Sequence, residues 1–330
     1  MSVSGTSVLD AVRRNDFLVI GRAGMDFYPD PPGTRTEDAG AFVAGLGGSA
    51  ANTAVGIVRL GGRAALVTRV SDDAVGRFCL ARLRDYGVDT AHVTPVGGEF
   101  RTSLAVSESR MADHQTVIYR NGAADFRMDE EDIARIDFAA PGALVTAGTV
   151  LAAEPSRAAT FAAFDRAKAA GLPVIFDIDY RPYSWPSPQV AAEVLTRAGQ
   201  ACAMVVGNDE EFGFMAGGYE DGLAMARNLA ATTAEIVVYK RGPEGAITFA
   251  GGEEIHTGIY PVEALKPVGS GDSFMAGLLT AIADGHPLRD ALMRASACAA
   301  ITVTRPGCAL AMPGPDDLNA FLADHPGPTG

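Results

Sequence analysis

Along the chain, short runs of consecutive apolar residues alternate with longer stretches in which apolar positions recur every three or four residues. The runs "DFLVIG" (16–21), "AALVTRV" (64–70), "GALVTAG" (142–148), "LPVIFDID" (172–179), "CAMVVGN" (202–208) and "AEIVVYKRG" (234–242) have strand length and little polar alternation. Strands that are apolar on both faces belong in a parallel sheet covered on both sides. Between them, "SAANTAVGIVRLG" (49–61), "AVGRFCLARLRDYG" (74–87), "PSRAATFAAFDRAKAAG" (155–171) and "PQVAAEVLTRAG" (188–199) carry helical periodicity. This alternation predicts an α/β fold with a doubly wound, mostly parallel sheet.

One region breaks the rhythm. From "GGEFRTSLAVSES" (97–109) through "HQTVIYRNGAAD" (114–125) the pattern is strand, polar turn, strand, with no helix between. Such a hairpin is too small to stand alone and is predicted to project as a small β lid. Segment 26–43 is expected to add strands to it. The expected organisation is therefore one domain over 1–330, with lid strands from about 26–43 and 97–125 inserted in it. The tail 324–330 reads as loose.

Charge narrows the classes of partner. The net charge is −13, and an acidic surface repels nucleic-acid phosphates and anionic lipid, so neither is expected to bind. An anionic small molecule stays open, because a few arginines and a helix N-terminus suffice to hold one. The four cysteines (Cys79, Cys202, Cys298, Cys308) and five histidines are scattered, without disulfide or zinc spacing. The first residues lack the apolar core of a signal peptide, and no apolar run reaches membrane-spanning length. A cytoplasmic protein is expected.

Two glycine-rich stretches carry candidate chemistry. "GLGGSAANTAVG" (45–56) contains G-x-G-x-x-A, which mimics a dinucleotide fingerprint but stands well downstream of the first strand. It also reads as a plain glycine turn before a helix. A third reading is a close approach for a polyhydroxy ligand, with the Asn52 amide facing it. In "VGSGDSF" (268–274), Gly269, Ser270 and Gly271 precede a helical run. The first turn of a helix presents unpaired N–H groups that suit a phosphoryl group. Asp272 then reads in two ways: an acid favoured by the helix dipole, or a base beside the bound anion.

Taken together, the motifs resemble the ribokinase/PfkB family of carbohydrate kinases. "GGSAANTAVGIVRLGG" (47–62) is similar to its N-terminal signature, "VGSGDSFMAGLL" (268–279) to its C-terminal G-A-G-D signature, "GNDEEF" to its N-x-x-E motif, and "KRGPEG" (240–245) to its nucleotide segment. The resemblance implies a ribokinase-like fold with a β lid, ATP and Mg²⁺ as cofactors, and a homodimer built on lid strands. It implies Asp272 as catalytic base, with Gly269, Ser270 and Gly271 as anion hole. Asp26, Gly47, Gly48 and Asn52 match sugar-binding positions. Asn208 and Glu211 match the motif that organises Mg²⁺ through its waters, and Lys240, Gly242 and Gly245 the nucleotide side. The stretch from Ala300 to Cys308 would wall the adenine. Where many members carry an acid that helps bind a monovalent cation, this chain has Lys266, followed by Pro267 and Val268. A requirement for Mg²⁺ with little need of K⁺ is the expectation.

The substrate class follows from the arginines. Segments "IGRAGMDFYPD" (20–30), "YRNGAADF" (119–126), "DIDYRPYSW" (177–185) and "EALKPVGSGDSF" (263–274) are similar to sugar-acid kinases within the family. A sugar acid carries a carboxylate, which favours bidentate arginine. Arg120, after Tyr119 in a lid strand, and Arg181, after the "VIFDID" strand, match substrate-contacting positions of such kinases; Arg101 is a third candidate. Asp177 and Asp179 would orient Arg181 or touch substrate. Trp185 reads as filling a corner. A neutral-hexose kinase and a non-catalytic sugar or nucleotide sensor are the alternatives.

Overall fold

A computed structural model describes residues 7–327. The first six residues, and the end of the tail read as loose, lie outside the described residues. Among the described residues, thirteen strands form two sheets. In chain order they are β1 (Asp16–Ile20), β2 (Gly24–Asp30), β3 (Ala41–Gly47), β4 (Arg63–Ser71), β5 (Val93–Val96), β6 (Leu104–Ser107), β7 (Thr116–Tyr119), β8 (Ala143–Ala147), β9 (Val174–Asp177), β10 (Met204–Asn208), β11 (Ile236–Lys240), β12 (Ala246–Ala250) and β13 (Glu253–Thr257).

The large sheet has the order β13-β12-β11-β10-β9-β8-β1-β4-β5. Pairing is parallel from β11 through β5, and antiparallel only for β12 and β13 at one edge. The continuous apolar runs place successive side chains in two separate cores. On β1, Phe17 and Val19 join one core while Leu18 and Ile20 join the other; on β11, Ile236 and Val238 oppose Val237 and Tyr239. Each such side chain contributes about 1.5–3 kcal/mol when buried. A charge on either face of these strands therefore has no solvent to reach.

All six predicted strands and all four predicted helices are present, each within about two residues of the expected ends. The lid is a four-stranded sheet of order β3-β2-β6-β7. Two antiparallel hairpins join edge to edge through the parallel pair β2–β6. Sequence patterning missed the hairpin β12–β13, although its turn, Gly251-Gly252, has positive φ at both positions and is a clear hairpin signal. It also missed β5, a four-residue edge strand.

The chain fills the β4 and β5 side of β1 first and then crosses to β8 on the other side. The carboxyl ends of β1 and β8 thus flank a topological switch point, where open α/β sheets hold ligands. Among the described residues, no helix is long and apolar enough to cross a membrane.

Candidate active site

A cleft of about 650 Å³ opens at this edge, between the large sheet and the lid. The helix Ser270–Ala283 starts in its wall. Gly269 caps that helix with φ +88°, a left-handed conformation that disfavours any side chain. The first intrahelical bond runs from the Ser273 amide to the Gly269 carbonyl at 3.1 Å. The amides of Ser270, Gly271 and Asp272 precede it, and no side chain caps them. The Ser270 hydroxyl donates instead to the Pro267 carbonyl at 3.1 Å.

Asp272 is the third residue of this helix, half-buried in the cleft. Its Oδ2 accepts from Asn52 Nδ2 at 2.9 Å. Burial foremost, and then the charges of Asp179 and Asp177, push its carboxyl up to about 8, against the Asn52 hydrogen bond and Arg181. Asn52 sits in the first turn of the helix Ser49–Arg59, and its Oδ1 is buried without a partner among the described residues. Asp26, on β2, shows the same pattern: Oδ2 accepts from Tyr28 Oη at 2.9 Å, while Oδ1 is buried and unpaired. Two orphaned acceptors beside an aspartate suit the hydroxyl donors of a sugar.

Across the cleft lies a group of acids and bases. Asn208 and Glu211 form a capping box at the end of β10: Glu211 Oε2 accepts from the Asn208 amide, and Asn208 Oδ1 from the Glu211 amide, each at 2.8 Å. Burial, then Asp177, push the Glu211 carboxyl up to about 7, against Lys240. Lys240 ends β11, and its Nζ lies 5.7 Å from the Phe274 ring centroid. Gly242 and Gly245 follow it along the cleft wall. Among the described residues, no three His, Cys, Asp or Glu side chains converge as a direct metal site. The surplus of crowded carboxylates nevertheless fits a cation held through water and phosphate rather than caged by protein, which is how Mg²⁺ is commonly bound.

The arginines divide. Arg120 enters the cleft from the lid, already paired with Asp125 at 2.5 Å and lying over the Phe126 ring at 4.1 Å. Arg181 also borders the cleft and pairs with Asp179 at 2.8 Å. Asp179 has φ +35°, in the left-handed region that costs a non-glycine residue. It is held there by Arg181 and by the Thr149 hydroxyl, at 3.3 Å. Asp179 therefore does orient Arg181.

Three sequence expectations are corrected. Arg101 does not reach the cleft: its side chain is 65% exposed and turns toward Asp73 at 3.8 Å and the Gly98 carbonyl. Tyr119 is 63% exposed on the outer lid face, because the strand alternates and Thr116, Ile118 and Arg120 take the inner positions. Gly47 ends β3 opposite Gly24 and does not line the cleft, whereas Gly48 does. A fourth is narrowed: of the stretch from Ala300 to Cys308 expected to wall the adenine, only Cys308 lines the cleft, together with Ser296 and Ala299 from just before it. Trp185 is buried in a core, as its corner-filling reading implied. Arg22, absent from the sequence candidates, borders the cleft just after β1. Its signal was the one that nominated Arg181: an arginine following a central strand at the carboxyl edge.

A sequence profile of the pfkB family carbohydrate kinases matches residues 14–315. The chain belongs to the pfkB family. Among its relatives, this pfkB protein is 36% identical over 312 residues to a 5-dehydro-2-deoxygluconokinase of Photobacterium profundum, covering 93% of this chain and 94% of that one. It is 34% identical over 315 residues to a 5-dehydro-2-deoxygluconokinase of Geobacillus kaustophilus, covering 94% of each. A fructokinase of Vibrio cholerae O395, solved with fructose, ADP and potassium ion, superposes with a TM-score of 0.82 at 29% identity, covering 93% of this chain and 97% of that one. The pfkB kinase fold, with its large mostly parallel sheet and smaller lid sheet, is the one expected from the sequence.

Proposed function

We propose that this pfkB protein transfers the γ-phosphoryl group of ATP to the 6-hydroxyl of 5-dehydro-2-deoxy-D-gluconate, the kinase step of myo-inositol breakdown. The observation that carries the reading is the pairing of Asp272 with a helix start. A carboxylate stands beside three uncapped amides, next to the orphaned acceptors of Asn52 and Asp26. The two relatives named 5-dehydro-2-deoxygluconokinase support the choice of acid.

In this mechanism Asn52 and Asp26 orient the substrate hydroxyls. Asp272 accepts the proton of the primary hydroxyl as its oxygen bonds to the γ-phosphorus, and the bond from that phosphorus to the β-phosphate oxygen breaks to release ADP. The amides of Ser270, Gly271 and Asp272 donate to the equatorial oxygens, where charge spreads in a loose transition state. Lys240 supplies a positive charge beside them. Asn208 and Glu211 would hold Mg²⁺ through its waters; when bound, the ion offsets phosphate charge. The lid strands β6 and β7 exclude water that would otherwise hydrolyse ATP. The chain acts as a homodimer in the cytoplasm.

The test is Mg-ATP-dependent ADP release across 5-dehydro-2-deoxygluconate, 2-keto-3-deoxygluconate, fructose and ribose. A clear preference in kcat/KM for the first is expected. Preference for the second keeps the mechanism and moves the substrate. Activity on neutral sugars alone rejects the sugar-acid reading, and no activity on any points to a sensor.

A further inference from the structure

Of the arginines at the cleft, those the sequence nominated are already engaged. Arg120 is neutralised by Asp125, and Arg181 by Asp179. Arg22 differs from both. It is 8% exposed, yet no carboxylate lies within ion-pair distance of it among the described residues. Its guanidinium makes one side-chain hydrogen bond, from Nη1 to the Ser103 hydroxyl at 2.8 Å. Asp26 and Asp179 act on it only at longer range, as the charged groups that face it. A buried guanidinium with one neutral partner is costly unless a further anion completes it.

The surroundings are shaped to keep it there. A Cβ on Gly24 would stand 2.5 Å from Arg22 Nη1 and 2.9 Å from the Ser103 carbonyl, so the glycine makes room for the guanidinium. The Arg22 carbonyl accepts from the Ala51 amide at 3.2 Å. Ala51 adjoins Asn52, which holds Asp272. The Arg22 segment and the base are thereby tied to the first turn of one helix.

We propose that Arg22 is the specificity-determining residue that binds the substrate carboxylate, with Arg120 and Arg181 supporting the walls around it. This rests on the sugar-acid kinase reading above. The remaining N–H groups of Arg22 form a planar fork that a carboxylate meets with two parallel hydrogen bonds. A neutral hexose has no carboxylate to meet this fork, so the arginine favours the acid while adding little to hexose binding.

The experiment compares wild type, Arg22→Ala, Arg22→Lys, Arg120→Ala and Arg181→Ala, with 5-dehydro-2-deoxygluconate and fructose as substrates. Steady-state kinetics are read alongside the thermal shift given by each sugar without ATP. Arg22→Ala is expected to raise KM for the sugar acid on the order of 100-fold, to abolish its thermal shift, and to leave KM for ATP and for fructose within threefold. Arg22→Lys should recover only part of the loss, because an ammonium cannot form the fork. Free guanidinium added to Arg22→Ala should restore acid binding in part. The assignment is overturned if Arg22→Ala binds the acid within threefold of wild type, or if it weakens acid and fructose equally. It is also overturned if only Arg120→Ala or Arg181→Ala loses acid affinity. A wild type that phosphorylates fructose and no sugar acid rejects the sugar-acid reading itself, an outcome visible before any variant is made. If Arg22→Ala fails to fold, Arg22→Lys carries the same comparison with the charge retained.

Discussion

At the scale of single residues, Asp272 is where the proposed base and a structural helix-start acid make opposite predictions. An acid retained for the helix dipole would stabilise the fold when ionised. Here burial and neighbouring carboxylates raise its pKa to about 8, so ionisation costs stability. Below about pH 4 both folded and unfolded chains hold the proton. Between there and about pH 8 only the folded protein keeps it, so its contribution to stability falls as pH rises. Asp272→Asn is therefore expected to cut phosphorylation on the order of 100-fold or more. It should also raise Tm by roughly 2–4 °C at pH 8.5 and not at pH 4. A drop in Tm at pH 8.5 would favour the dipole reading. In the wild type, kcat/KM should climb through an apparent pKa near 8, because that ratio reports ionisation in the free enzyme.

Lys266 is the second residue-scale case. Its side chain is fully buried, and the ammonium donates to the carbonyls of Val268 at 2.5 Å and Thr302 at 3.3 Å. Burial lowers its pKa, against Cys308 and Asp272. We infer that this tethered cation fastens the turn before the helix Ser270–Ala283, in place of a free monovalent ion. Added K⁺ at fixed ionic strength should change turnover less than twofold, measured against Na⁺; a strong rise would reject the idea. Lys266→Met should lose turnover together with several degrees of Tm, since two buried carbonyls lose their donor.

At the scale of elements, the capping box at the end of β10 shows one motif serving two ends. Asn208 and Glu211 exchange two backbone hydrogen bonds, and the Tyr180 amide donates to Glu211 Oε1 at 3.3 Å. The motif therefore fixes a helix start as well as facing the cleft. Glu211→Gln can keep the box, because glutamine accepts the Asn208 bond, while its amide nitrogen gives up the longer bond from Tyr180. It should lower Tm by a few degrees at most while raising the Mg²⁺ concentration for half-maximal activity by roughly tenfold, the effect of losing one outer-sphere partner. An unchanged Mg²⁺ titration would leave Glu211 a purely structural cap. The motif was readable from residue identity and spacing. The box was not, because it depends on how β10 enters the helix Asp209–Ala216.

At the scale of the whole molecule, the lid has two unlike faces. Strand register sets Ala105 beside Ile118 and Ser107 beside Thr116 on the inner face, over the cleft. The outer face carries Phe27, Phe42, Val106, Val117 and Tyr119, with Phe42, Val117 and Tyr119 well exposed. A contiguous apolar face on a thin sheet invites cover, and the proposed occupant is the lid of a second copy. The wild type should sediment as a dimer at micromolar concentration, and Phe42→Asp combined with Val117→Asp as a monomer. A wild type that stays monomeric would reject the contact.

The chain pattern by itself determined the layers: buried parallel strands must be apolar on both faces, and no other sheet suits six such runs separated by helices. The same pattern raised Asp272, Gly269, Ser270, Gly271 and Asn52 as candidates but left their readings open, and the resemblance to carbohydrate kinases is what singled them out. What only the tertiary structure decided was which arginine is available. Arg120, Arg181 and Arg22 look alike as letters, but Asp125 and Asp179 pair with the first two, and among the described residues no carboxylate lies within ion-pair distance of the third. Likewise Tyr119 and Arg120 are adjacent in sequence and face opposite ways in the lid. Side-chain direction in a strand follows from its register with a partner, and charge compensation follows from residues far apart in the chain.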